Sequence, residues 1–72
     1  MTWEYRVVRT KHGYEVCETI TKNGVIRFSQ KRYPTPFGCS LIDLEADICH
    51  MMDARYKPVL EERDGKLVEV EE

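Results

Sequence analysis

Residues 40–56 read SLIDLEADICHMMDARY, and the fold turns on whether this stretch is a helix. Leu41, Leu44, Ile48, Met51 and Met52 recur at the three- and four-residue steps that gather apolar side chains on one side of an α-helix. Ser40 stands where a cap belongs, and Asp43 three residues on suits the positive helix N-terminus. Gly38 gives a flexible entry, and Pro58 ends the helix by Tyr56 or Lys57 because proline restricts the residue before it and donates no N–H. No other stretch shows this period. The rest of the chain reads as strands that need one face covered.

Three strands precede it. Residues 3–10 alternate, with Trp3, Tyr5 and Val7 on one side and Glu4, Arg6, Val8 and Thr10 on the other. Residues 14–21 repeat the pattern with Tyr14, Val16 and Ile20 sharing a face, and the turn between holds Gly13. Asn23-Gly24 tolerates the positive φ of a type I′ turn and predicts a hairpin into residues 25–33. Ile26 and Phe28 are then expected inward, beside Tyr5, Val7, Val16 and Ile20, under the apolar side of the helix. Two prolines make residues 33–39 a loop, with Phe37 expected to anchor it beneath the helix start.

The fold expected is α+β: a three-stranded antiparallel meander packed on one helix, in β-β-β-α order, with a fourth short strand admitted at Val59-Leu60. Residues 1–60 would form the domain. Residues 61–72 would be the arm of a small hairpin around Asp64-Gly65 or, since Glu61, Glu62, Glu69, Glu71 and Glu72 repel one another, an acidic tail.

At 72 residues there is room for one domain, and 42% hydrophobic with 33% charged residues describes a globular rather than a disordered chain. No apolar run reaches the ~18 residues of a membrane span, and residues 1–10 lack the apolar core of a signal peptide. An odd set of cysteines, Cys17, Cys39 and Cys49, reads as reduced thiols. The expected location is the cytoplasm. The net charge of −2 is unevenly spread: residues 1–40 carry seven Lys/Arg against three Glu, and residues 41–72 carry four against ten Asp/Glu. The basic and acidic parts can attract each other within one fold.

Trp3-Glu4-Tyr5-Arg6-Val7-Val8-Arg9, the Pro36-Phe37-Gly38-Cys39-Ser40-Leu41 entry, Leu44, Asp47-Ile48, Met51, Ala54 and Lys57-Pro58-Val59-Leu60 follow one another in an order that resembles a set of small bacterial and phage-associated proteins. Those share a WxYRVVR-like start and a PxGxSLxxLxxDL…KPVL-like second half. The resemblance implies a compact sheet-plus-helix domain and brings no activity, cofactor or catalytic residue. In topology alone, β-β-β-α is similar to the sheet-plus-helix DNA-binding domains of the integrase-arm and plant AP2 type, and fold does not fix function.

The residues point away from catalysis and metals. Cys49 and His50 are neighbours about 100° apart on a helix, so they do not chelate as an i, i+4 pair does, and no C-x-x-C spacing occurs. Cys39, just before a helix N-terminus, is the most reactive-looking thiol, yet neither His12 nor His50 is placed beside it as a base. Asp43 and Asp47 share a helical face and read as solvated. The expectation is therefore a non-enzymatic accessory or regulatory protein acting by protein–protein binding, with no cofactor, metal, small-molecule substrate or membrane. Trp3, Tyr33 and Tyr56 are the candidate protein contacts, and a homodimer through a strand edge or a helix face is one form of it. The alternative is weak nucleic-acid binding through an open basic sheet face bearing Arg6, Arg27 and Lys31, although a pI near 5.7 is far below that of dedicated binders.

Overall fold

The structure, a computed structural model, describes residues 1–71. Glu72, the last residue of the expected tail, lies outside the described residues. Strands β1 (Thr2–Thr10), β2 (Gly13–Lys22) and β3 (Val25–Phe28) come first. Helix α1 (Leu41–Asp53), a 3-10 turn (Ala54–Tyr56), β4 (Val59–Arg63) and β5 (Lys66–Val70) follow. The strands close into a barrel in the order β1-β2-β3-β5-β4.

This corrects the expected three-stranded meander under a helix. The order is β-β-β-α-β-β, and the stretch read as an acidic tail or a small hairpin arm supplies, with Val59-Leu60, the two strands that close the barrel. Asp64 and Gly65, at φ 54° and 78°, form the same positive-φ pair as Asn23 and Gly24, so both hairpins turn in two residues. Charge repulsion along the last stretch is relieved, because two of its carboxylates, Glu61 and Glu69, are answered by cations. Glu61 accepts from Arg9 at 2.7 Å and from Arg63 at 3.2 Å, and Glu69 pairs with Arg6 at 3.3 Å. The seams are short: β1 runs parallel to β4 through Val8↔Leu60 and Arg9↔Glu61, and β3 meets β5 antiparallel at Ile26↔Leu67.

The enclosed face is the reverse of the expected one on β1 and β2. With Lys22 opposite Val25, Thr21 must face Ile26 and Thr19 must face Phe28. Since Arg6 faces Cys17, the interior collects Arg6, Val8, Cys17, Thr19, Ile26 and Phe28, joined by Leu60 and Leu67. Tyr5, Val7, Val16 and Ile20 stand on the outer wall. Thr19 satisfies its buried hydroxyl by donating to the Glu4 carbonyl at 3.2 Å. At one end Arg6 donates to the Pro58 carbonyl at 2.6 Å, tying β1 to the start of β4. At the other end Arg32 folds back to stack 3.9 Å from the Phe28 ring centre and to pair with Glu15 at 3.2 Å.

Helix α1 lies outside the barrel and no residue of it is fully buried. Its expected start is right: Ser40 accepts from the Asp43 N–H at 3.2 Å. Its apolar side does not roof the sheet. Leu44 and Met51 are half-buried, whereas Leu41, Ile48 and Met52 are exposed. The barrel fills its interior with its own side chains, so it needs no lid.

Candidate protein-binding cleft

Between the outer wall of β1 and β2, the loop of residues 29–40 and α1 lies an open cleft of about 1070 Å³. Trp3 and Tyr5 alternate with the inward Glu4 and Arg6, so both rings emerge on this wall, edge to face with centroids 5.4 Å apart. Tyr33 and Phe37 come from the loop, and Asp47 and His50 from the helix.

Asp47 fixes this geometry. Its Oδ1 accepts from the Tyr5 hydroxyl at 2.7 Å and its Oδ2 from the Phe37 N–H at 2.9 Å, so one carboxylate joins strand, loop and helix. The Phe37 N–H and then the Tyr5 hydroxyl hold the Asp47 carboxyl below its ordinary value. Burial, followed by the hydrogen bond to Asp47, pushes Tyr5 up to about 12. The loop is pinned at its start as well. The Ser29 N–H donates to the Glu18 carbonyl at 3.0 Å and its hydroxyl to the Glu18 carboxylate at 2.8 Å. Gly38 presses on the first turn of α1 so closely that a Cβ there would collide with the backbone of Asp43 and Leu44. Phe37 therefore does not tuck under the helix as expected. Its N–H is held while its ring is 73% exposed.

The predicted protein contacts divide. Trp3 and Tyr33 both line the cleft, while Tyr56 sits exposed on the 3-10 turn beneath the Arg55 guanidinium, 4.6 Å from its ring centre. The predicted nucleic-acid contacts do not form one surface. Arg6 is only 5% exposed inside the barrel, Arg27 donates to the Gly65 carbonyl at 3.3 Å, and Lys31 lines the cleft. The closed barrel also removes the open sheet face on which that alternative relied.

Tyr5, Phe37, Glu18, Asp47 and His50 were not chosen as contact residues from the sequence. Tyr5 carried a signal, since it shares a strand face with Trp3. Asp47 looked like a solvated carboxylate beside Asp43 because its two partners lie 42 and 10 residues away. Cys17 is sealed in the core, and burial followed by the contact with Glu15 raises its thiol to about 12, so it is inert. Cys39 and Cys49 are exposed. Among the described residues no group of three or more His, Cys, Asp or Glu is placed to hold a metal ion, and no helix is long and apolar enough to cross a membrane. Neither protein-family models, curated proteins nor solved structures match this chain.

Proposed function

We propose that this is a non-enzymatic accessory or regulatory binding protein that docks a partner protein in the aromatic cleft. The observation that carries the reading is the set of exposed rings, Trp3, Tyr33 and Phe37, on walls whose backbone Asp47 and Glu18 hold in place. Large rigid rings supply contact area at little entropic cost, and they concentrate binding energy at protein interfaces. An open groove with aromatic walls suits an extended segment of the partner. Nucleic-acid binding has less support, because Arg6 is occupied within the barrel.

Affinity capture from the host with wild-type and Trp3→Ala/Tyr33→Ala baits tests the reading. Both side chains are exposed, so the variant should keep its circular dichroism spectrum. Proteins retained by wild type and lost from the variant are expected, with each truncation weakening a purified complex by about 2 kcal/mol. Identical retention on both baits would overturn the proposal.

A further inference from the structure

Trp3, Tyr5 and His50 line the aromatic cleft and also a second, smaller pocket beside it, completed by Glu4, Asp53 and Lys57. At about 280 Å³ that pocket falls below the roughly 300 Å³ at which small-molecule sites begin, and it suits one long side chain. Helix α1 walls both. Asp43 and Asp47 line the cleft, Asp53 lines the pocket, and about 15 Å of helix separates the first from the last. Neither Lys nor Arg occurs in α1, so the charges on this wall are carboxylates with His50 between them. Asp43 and Asp53 are exposed and, among the described residues, have no ion-pair partner. Of the cations around the two spaces, Arg32 pairs with Glu15 at 3.2 Å and Lys57 with Glu4 at 2.9 Å. Among the described residues that leaves Lys31, on the loop side, without an ion pair.

We infer, resting on the reading of the cleft as a docking site, that its occupant is a basic extended segment of the partner protein. Its anchor is an arginine seated in the small pocket, against the Trp3 ring and Asp53, and a second cation of the segment answers Asp43. The argument is charge complementarity on an aromatic surface. A guanidinium stacks flat on an indole while its N–H groups reach a carboxylate, so ring and charge act on one side chain. The molecule already uses this combination, since Arg32 lies 3.9 Å from the Phe28 ring centre while it pairs with Glu15. The distance from Asp43 to Asp53 corresponds to about four or five residues of extended chain, so a single segment reaches both. An acidic segment would meet Asp43, Asp47 and Asp53 in turn, and a nucleic-acid strand would meet them with its phosphates.

Trp3 is the one tryptophan of the chain, so its fluorescence reports occupancy directly. The full chain is titrated at low salt, up to about 1 mM, with octapeptides in which serine alternates with arginine, glutamine or glutamate. The arginine peptide is expected to shift the emission saturably and to lose affinity as salt is added, and the other two to leave it unchanged. Asp43→Asn/Asp53→Asn should weaken the arginine peptide about tenfold, and Lys31→Gln should tighten it. Glu45→Gln/Glu62→Gln removes the same charge from exposed positions outside both spaces and should bind as wild type does. All these substitutions are at exposed side chains, so circular dichroism should be unchanged. No response to the arginine peptide, an equal response to the glutamate peptide, or an equal loss in both carboxylate variants overturns the inference. Asp43→Asn/Asp53→Asn also serves as a third capture bait. Partners lost from Trp3→Ala/Tyr33→Ala but fully retained by this bait overturn the basic segment and leave the docking reading standing. Identical retention on all three baits removes the docking reading, and the basic segment with it.

Discussion

Asp47 is the residue on which the cleft depends, and its hydrogen bonds give the molecule opposite sensitivities at the two ends of the pH scale. The carboxylate is held below its ordinary value, so its contribution is full above the usual carboxylate range and is lost as pH falls through the lowered value. Tyr5 works in the other direction. Its folded value of about 12 lies above the ordinary 10.0, so the stability tied to its neutral form is complete below 10 and drains away as pH rises towards 12. Tyrosinate absorbance should therefore show one of the four tyrosines titrating late, and Tyr5→Phe should abolish that late step. The same substitution should cost about 1 kcal/mol in denaturant unfolding, the usual worth of one hydrogen bond. Four tyrosines titrating together in wild type would contradict the arrangement.

At the level of elements, the joint between loop and helix is set by Gly38. Its φ is unremarkable; what demands glycine is the close approach to Asp43 and Leu44. Gly38→Ala should lower stability by about 1–3 kcal/mol as loop or helix is forced to shift, and thermal unfolding reads it directly. Elements governed by local chemistry were legible in the sequence. Ser40 announced the helix start, Asn23-Gly24 the hairpin, and the alternation in β1 and β2 both strands. What alternation lacks is a label for inside and outside. The label was partly available, because a two-residue turn at Asn23-Gly24 forces Thr19 opposite Phe28 and so joins Phe28 to the face of Cys17. The helix misled for a related reason: an apolar stripe shows that a surface seeks cover without saying that its own sheet provides it. The cleft was half legible. Trp3 and Tyr33 could be chosen as large exposed aromatics, but the partners of Asp47 are distant in sequence.

Over the whole molecule, the barrel carries the stability and the helix is an attachment to its outside. Leu60 is fully buried where β4 meets β1, packed with Val8, Cys17 and Leu67. Leu60→Ala should cost about 2–5 kcal/mol, and Leu44→Ala, on the half-buried side of α1, distinctly less. Urea midpoints of the two variants decide between this account and one in which the helix roofs the core. The closing seams also order events in time. Leu60 follows Val8 by 52 residues and Leu67 follows Ile26 by 41, so both seams wait on the last stretch of the chain. As the chain leaves the ribosome, β1 to β3 emerge as a ribbon with both margins bare and Cys17 still wet. Completion waits on a segment whose own charges discourage it from collapsing early, and a chaperone would meet that ribbon rather than the finished cylinder.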